Sequence, residues 1–416
     1  MLRFPGAKTL TGRKLFFRLA ALALLAPAIQ AAAAPRVFLL SRSGVAALER
    51  ELRRPRREWT PGLAAFASRL QARAGKALAA GPFSVMQKSM TPPSGSKHDY
   101  MSWAPYFWPN PHTSNGLPYI RRDGRRNPQI RKITDHDQLH QLIPDAEILA
   151  LAYYLTGREA YAAHAAALIR AWFLAPATRM NPNLNYAQGI PGRVTGRGIG
   201  IIDTAGFPHL IDALGLLRGS PAWTGADQAG MQAWFRRYLD WLRHSRNGRA
   251  ERASANNHGT YYDLQAAVEA MFTRQPALAR RILLNARRRI ARQILPSGRE
   301  PLETARTQSM QYSIMNLRGL FSLAWLGRHA GVQLWSYRTP RGAGLEPALD
   351  YLLPYALKRK PWPYPEITRW SPRGLAPALY LAMRQYAARR GAYRAALRRI
   401  EPQYRQDEWL RAGWRN

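Results

Sequence analysis

Four types of side chain with complementary chemistry occur in order along one stretch of this sequence: an amide, an imidazole, a guanidinium and a phenol. Asn256, Asn257 and His258 stand at the start of one predicted helix, and Arg306 and Tyr312 follow the next one. Such groups suit a reaction in which a carboxylate is neutralised so that the carbon beside it can lose a proton. Donors aimed at the carboxyl oxygens would stabilise the growing charge, and Asn257, His258 and Arg306 are of the required types.

The second requirement of this chemistry is proton transfer. In a hexuronate, a base must remove the proton on C5 and an acid must protonate the leaving glycosidic oxygen. Tyr312 could do both where proton and oxygen lie on one side of the ring, provided that Arg306 lowered its pKa from about 10. Where they lie on opposite sides, His258 is the natural second group. The planar fork of Arg306 is also suited to gripping a carboxylate bidentately.

Ordinary structural roles also explain each of these residues when it is taken alone. Asn257 could be only the N-cap of the helix that follows. His258 could be a hydrogen-bonded structural histidine, and Tyr312 could be a packing residue of an amphipathic helix. The ordered combination favours the catalytic interpretation over these separate ones.

The order of these residues resembles the alginate lyase family, in which Asn and His open one helix and Arg and Tyr follow the next. Three further stretches look similar to the same broad superfamily: residues 99–109, 116–124 and 179–192. The resemblance covers roughly residues 90 to 360. It implies an (α/α) toroid fold and the cleavage of a uronate-containing polysaccharide, alginate-like or glucuronan-like, by β-elimination.

The same resemblance implies a role for each residue. Asn257 and His258 would neutralise the substrate carboxylate together with Arg306, and Tyr312 would act as acid and base. Many alginate lyases continue the Asn-His pair with Ser-Tyr-Trp, whereas this sequence continues it with Gly-Thr-Tyr-Tyr. The floor of the sugar subsite is therefore expected to differ.

Helical periodicity, punctuated by Pro and Gly, predicts the elements that hold these residues. Apolar residues recur in antiparallel helical pairs without a convincing run of alternating strands, which predicts a single all-α toroid domain over residues 34–416. The predicted helices are two within 44–78, then 137–155, 159–172, 228–244, 261–273, 276–294, 309–330, 345–357 and 374–401. We expect Arg306 to precede the helix at 309, with Gln308 and Tyr312 on one of its faces.

Two long loops rich in Gly, Pro and Asn, at residues 81–127 and 181–203, are expected to form the walls of the substrate groove. Aromatic side chains in such loops can stack on sugar rings, although packing onto the core explains them equally well. The expected substrate contacts are His98, Trp103, Tyr106, Trp108 and Tyr119 from the first loop, Gln188 and Arg197 from the second, and Asn256, Tyr261 and Gln308 near the catalytic candidates.

Residues 1–33 have the layout of a secretory signal peptide. Basic residues without any acidic one precede a short apolar run at residues 19–29, and cleavage is expected after Ala33. The apolar run is too short for a permanent membrane span, and an uncleaved anchor is the alternative. We expect a periplasmic or secreted protein that does not stay inserted in the membrane.

The formal net charge of +37 predicts attraction to a polyanion. Nucleic acid is a common partner of so basic a protein, but export and the lack of a nucleic-acid-binding signature argue against it. An acidic polysaccharide fits the same charge, and an arginine-rich composition without functional meaning is the plain alternative. We expect a monomer that needs no cofactor or metal, and the absence of Cys excludes disulfides and thiolate metal sites.

His136 and His140 lie four residues apart, as in the metal-binding helix of zinc hydrolases. An Asp takes the place of the Glu of that motif, a helix break is expected at Pro144, and no third ligand is evident. The sequence therefore favours a helix capped by Asp135 that carries two exposed histidines.

Two other functional classes remain open. A glycoside hydrolase on a similar toroid would need two carboxylates flanking the bond, and Asp145, Asp203, Asp263 and Glu303 form no recognisable pair. A non-catalytic periplasmic polyanion-binding protein would bind uronates without cleaving them.

Overall fold

The computed structural model describes residues 35–402, so the expected signal peptide at residues 1–33 lies outside the described part. Within that part the chain is mainly α-helical, as predicted. In chain order the helices are α1 (Arg42–Leu52), α2 (Pro61–Ala77), α3 (Asp135–Thr156), α4 (Glu159–Ile169), α5 (Phe207–Leu216), α6 (Gly225–His244), α7 (Arg246–Ala253), α8 (Asn257–Phe272), α9 (Pro276–Gln293), α10 (Pro301–Thr304), α11 (Ser309–Gly327), α12 (Leu345–Ala356), α13 (Ala376–Gln385) and α14 (Arg390–Ile400).

Pairs of packed helices form the body of the protein. α3 packs against α4 and α5, α5 packs against α8, and α8 packs against α9 and α11. Almost every side chain of α8 is buried, so this helix has no polar stripe facing solvent. α3, α5, α8 and α11 thus follow one another through the core, and the expectation of an all-α fold built from paired helices is confirmed.

Local sequence signals set the starts of the helices. At α6, the Thr224 hydroxyl accepts from the Asp227 N–H while the Asp227 carboxylate accepts from the Thr224 N–H, a reciprocal capping box. At α8, the Asn256 side chain accepts from the His258 N–H at 3.2 Å. The N-cap of α8 is therefore Asn256, which leaves the side chain of Asn257 for another role.

Three helices, α5, α7 and the short α10, were not predicted, and two details of the predicted helices were wrong. α5 was missed because it is apolar on nearly all sides and so lacks an amphipathic stripe. The helix predicted over residues 374–401 is divided at Tyr386, whose backbone leaves the helical region while its hydroxyl donates to the Trp335 carbonyl at 3.0 Å. α3 continues through Pro144, where a break was expected.

The two long predicted loops are joined to each other by short strands. β1 (Met101–Trp103) pairs in parallel with β4 (Tyr186–Gly189), while β2 (Phe107–Trp108) pairs with β3 (Ile120–Arg121) in antiparallel fashion. The first loop is also fastened to α3 by an ion pair of 2.9 Å between Lys88 and Asp135, whose side chains are both fully buried. Both loops are thus held against the ends of the core helices.

Within residues 35–402, one segment, Gly198–Leu216, is long and apolar enough to cross a membrane by length and composition. About three quarters of it, 72%, is buried inside the protein. Burial of this kind is typical of a core helix, because a helix that packs on all sides is apolar on all sides.

Candidate active site

The first turns of α8 and α11 and both long loops meet at a cavity of about 650 Å³. The positive ends of two helix dipoles therefore lie at this cavity and favour an anion there. Nine residues predicted from the sequence line it: Tyr106, Gln188, Arg197, Asn256, Asn257, His258, Arg306, Gln308 and Tyr312.

Asn257 is held from behind by a buried carboxylate. Its backbone N–H and its side-chain Nδ2 both donate to Glu303, each at 2.7 Å. Burial raises the pKa of Glu303, and the bonds donated by Asn257 oppose that rise. Because Glu303 takes one Nδ2 hydrogen, the orientation of the amide is fixed, and the other hydrogen and Oδ1 remain for a ligand.

His258 is oriented in the same way. Its Nδ1 lies 2.7 Å from Oε1 of Glu251, a residue of α7 that is 1% exposed. Since a carboxylate only accepts, Nδ1 carries a proton, and Nε2 is the nitrogen left for chemistry in the cavity. Glu251 was missed in the sequence, although its position seven residues before His258, across the turn from α7 to α8, was a usable signal.

Tyr312 lies in the first turn of α11 with its hydroxyl 2.7 Å from the hydroxyl of Tyr106. The guanidinium of Arg306 stacks on the Tyr312 ring, 3.9 Å from its centroid. Burial raises the pKa of Tyr312 well above its usual value, the bond with Tyr106 adds to the rise, and Arg306 only partly opposes it. The condition set from the sequence is therefore not met: Arg306 acts on the pKa of Tyr312 in the expected direction, but burial outweighs it.

Arg306 precedes α11, as expected, but its guanidinium fork is already occupied. Nε and Nη2 donate to the two carboxyl oxygens of Asp123 at 3.1 and 3.0 Å. Although burial opposes it, the hydrogen bonds from Arg306 and Arg121 hold the pKa of Asp123 well below its usual range. The expected bidentate grip of Arg306 on a substrate carboxylate is thus replaced by a grip on Asp123, with Nη1 left over. Gln308, expected inside α11, instead occupies the position just before it, and its Nε2 donates to the Gly124 carbonyl at 2.9 Å.

Arg197 presents a positive charge without an ionic partner among residues 35–402. Its Nε and Nη2 donate to the carbonyl and the side-chain oxygen of Gln188, at 3.2 and 3.1 Å. Gln188 adopts a left-handed backbone with φ of 49°, unusual for a residue with a side chain. The side-chain nitrogen of Gln188, Nε2, donates to Oδ1 of Asp203 at 2.8 Å. This bond fixes the orientation of the Gln188 amide that accepts from Arg197.

Four basic side chains at the cavity were missed as site residues: Arg121, Arg126, His136 and His140. The imidazole rings stack with centroids 4.1 Å apart, and burial together with His136 lowers the pKa of His140. Within residues 35–402 no group of three potential metal ligands forms. Asp135 does not cap α3, because it is the buried partner of Lys88 and accepts from the Met101 N–H.

Five predicted substrate contacts do not line this cavity. Each has a neighbour that explains its place in the fold: His98 Nδ1 lies 2.6 Å from the Arg179 carbonyl, Trp108 donates to the Arg125 carbonyl, Tyr119 donates to Gln129, Tyr261 donates to the Met315 carbonyl, and Trp103 packs edge-on against Tyr119. These residues fasten the loops and helices to one another. Trp103 also lines a separate open depression beside Arg193 and Arg246.

Comparisons with known proteins agree with the fold described above. A solved alginate lyase from Bacteroides ovatus is 33% identical and has a TM-score of 0.86, covering 92% of this chain and 100% of that one. Alginate lyase A1-III from Sphingomonas species A1 has a TM-score of 0.51 at 17% identity, covering 82% and 86%. A variant of A1-III complexed with a tetrasaccharide gives 0.52 at 15%, with the same coverage. These last two support only the fold, an all-α toroid.

No curated protein sequence matches the chain. The profile of the family described as alginate lyase matches residues 84–362, a span that includes the first long loop from residue 84 onward, the whole second loop, the starts of α8 and α11, and every residue of the cavity. Together with the match to the Bacteroides ovatus structure over nearly the whole chain, this shows that the protein belongs to the alginate lyase family.

Proposed function

We propose that this protein cleaves an alginate-like polyuronate by β-elimination in the cavity, leaving an unsaturated uronate end. As a member of its family it is a polysaccharide lyase. The observation that carries the choice of an acidic substrate is the charge of the cavity. Arg121, Arg126, Arg197 and Arg306 line it, whereas Asp203 is the only carboxylate among its described lining residues.

Neutralisation of the substrate carboxylate is the first task of the site. Arg197 is suited to it because its hydrogen-bond partner Gln188 is neutral, so that its charge is available to a ligand. Asn257 adds a fixed amide donor, and Arg306 adds Nη1. Donors held in place before the substrate arrives need little reorganisation when charge moves onto the carboxylate.

Proton transfer is divided between two residues in our proposal. Because its pKa is raised, Tyr312 enters the reaction protonated. Nε2 of His258 takes the C5 proton, the electron pair of that bond forms the C4–C5 double bond, and the C4–O bond breaks. The leaving oxygen takes the proton of Tyr312, and the positive charge of Arg306, 3.9 Å from the centroid of the Tyr312 ring, stabilises the phenolate that results.

The hydrolase alternative requires a pair of carboxylates at the bond, and the described residues that line the cavity include only one, Asp203. Asp203 is 3% exposed, and its oxygens accept from Tyr100, Ser102 and Gln188. Glu303 is likewise committed to Asn257. A polyanion-binding protein without activity would have no need for the tyrosine pair or for an oriented histidine.

We also propose that the protein is exported and acts as a monomer in the periplasm or outside the cell. The layout of residues 1–33 supports export, and a polymer that cannot enter the cytoplasm would be met there. Cell fractionation with N-terminal sequencing checks this proposal: a mature chain beginning at Ala34 in the exported fraction is expected, and a full-length cytoplasmic chain would contradict it.

The experiment that tests the activity is ultraviolet absorbance during incubation with mannuronate-rich alginate, guluronate-rich alginate, glucuronan and pectate. Only elimination creates the conjugated double bond that absorbs. We expect absorbance to grow on at least one alginate. If absorbance rises only with glucuronan or pectate, that polyuronate is the substrate and alginate is not. New reducing ends without a rise in absorbance would favour the hydrolase.

A further inference from the structure

A further depression, of about 490 Å³, lies apart from the active-site cavity and is lined by residues of α6, α7, α8 and α9. We call it the basic groove. Its basic lining residues are Arg243, Arg252, Arg281, Arg288, Arg289 and Arg292. None of them lines the active-site cavity.

The charges in the basic groove are poorly compensated. Arg289 is buried and pairs with Asp263, with Nε 2.9 Å from Oδ2. Within residues 35–402, none of the other five arginines has an ion-pair partner. Like charges gathered in one depression repel one another, so the binding of an anion there is favourable because it reduces this repulsion.

The spacing of the arginines indicates an extended ligand. Arg281, Arg288 and Arg292 lie seven and four residues apart on α9, so they share one face of that helix. With a rise of about 1.5 Å per residue, this row extends over roughly 16 Å. A row of that length suits several negative charges along a chain better than one small anion.

We propose that the basic groove binds a stretch of the acidic polysaccharide at a distance from the bond being cleaved. This inference rests on the proposed function, because that function supplies a polymer with a carboxylate on every sugar. Arginine is also the side chain best suited to carboxylates, since its planar fork can donate two parallel bonds.

The groove shares a wall with the active site. Arg289 donates from Nη1 to the Ser254 carbonyl and from Nη2 to the Arg252 carbonyl, each at 2.6 Å. These carbonyls belong to the segment that leads into Asn256 and the start of α8. A polymer held in the groove is therefore kept close to the catalytic cavity, which raises its local concentration there.

The test uses the full-length mature protein with Arg281→Gln, Arg288→Gln and Arg292→Gln combined. Each change removes one positive charge from an exposed position and leaves Arg289 with its structural contacts. On long alginate we expect the apparent affinity to fall about tenfold, since three solvent-exposed charge contacts are lost. On an alginate tetrasaccharide, turnover should stay unchanged because so short a chain depends on the cavity alone.

A matched control carries the same loss of charge on α14: Arg394→Gln, Arg398→Gln and Arg399→Gln. These exposed residues line neither depression. The control should behave as the unaltered protein on both substrates. Binding of long alginate is also measured in both variants in a Tyr312→Phe background, by affinity electrophoresis, so that it is read without turnover.

The outcomes separate this inference from the proposed function. If the unaltered protein cleaves alginate and the groove variant matches the α14 control in binding and turnover, the inference is overturned and the function stands. If no polyuronate is cleaved, the proposed function fails, and electrophoresis alone then decides on the groove. Weaker polymer binding by the groove variant than by the control supports the inference in either case.

Discussion

Three side chains at the cavity are each held from behind by a carboxylate. Glu251 fixes the imidazole of His258, Glu303 fixes the amide of Asn257, and Asp123 fixes the guanidinium of Arg306. Fixing them in advance limits the reorganisation needed during the reaction. It also means that Arg306 contributes little net charge, which leaves Arg126 and Arg197 as the arginines of the cavity without an ion-pair partner among residues 35–402.

The role of Glu251 as a positioning residue predicts the effect of Glu251→Gln. Glutamine keeps the shape but can present either an oxygen or an NH₂ group to Nδ1, so the proton is no longer fixed there. We expect kcat to fall by about tenfold to a hundredfold with little change in KM, as measured by steady-state kinetics. An unchanged kcat, or a loss explained wholly by a lower melting temperature, would contradict the role.

The tyrosine pair predicts a change in pH dependence. Tyr312 acts as an acid only while protonated, so activity is lost as the pH rises through its pKa. Tyr106 helps to raise that pKa, so Tyr106→Phe should lower it and move the alkaline limb of the kcat profile to lower pH. A pH–rate profile checks this, and a limb that stays in place or moves upward would exclude the proposed role of the pair.

At the scale of elements, the sequence predicted what is local and missed what depends on tertiary contact. The start of α11 was predicted at residue 309, and Asn256 to His258 were recognised as opening α8 although its predicted range began at 261, because caps and helical periodicity are local signals. The carboxylates behind them were not recognised in their supporting roles, since Asp123 lies 183 residues from Arg306 and meets it only after folding. The pKa of Tyr312 is raised rather than lowered because the side chain is buried. Burial depends on tertiary contacts and cannot be inferred from the spacing of Arg306 and Tyr312 in the sequence.

The start of α8 also explains one departure from the family pattern. Gly259 stands where many alginate lyases have Ser, and a Cβ there would meet the Ser254 carbonyl and the guanidinium of Arg289. Arg289 thus fills the space that a side chain would need. The lack of a side chain at Gly259 therefore lets Arg289 of α9 pack closely against the segment that precedes α8.

This close approach predicts that Gly259→Ala destabilises the protein by roughly 1–3 kcal/mol and lowers activity by displacing His258. Gly75→Ala is the matched control, because nothing lies within 4 Å of a Cβ there and Ala favours the exposed helix. Thermal unfolding and turnover are measured for both. Equal melting temperatures for the two variants would show that the space at Gly259 is not filled.

At the scale of the whole molecule, the net positive charge should act on the encounter with the substrate: it is +37 for the full sequence and +32 without the five basic residues of the expected signal peptide, which contains no acidic residue. Added salt screens interactions over about 10 Å at 0.1 M, so kcat/KM on long alginate should fall as salt rises, while kcat at saturation changes little. Initial rates over a series of NaCl concentrations check this. A kcat/KM that does not depend on salt would mean that the charge plays no part in substrate capture.

The most direct test of the central claim is mass spectrometry of the products formed from alginate by the unaltered protein and by Tyr312→Phe. Elimination adds no water, so we predict oligosaccharides one water lighter than hydrolysis products, formed by the unaltered protein and absent with Tyr312→Phe. Products that contain the added water, or unsaturated products formed at full rate by Tyr312→Phe, would contradict elimination by this site.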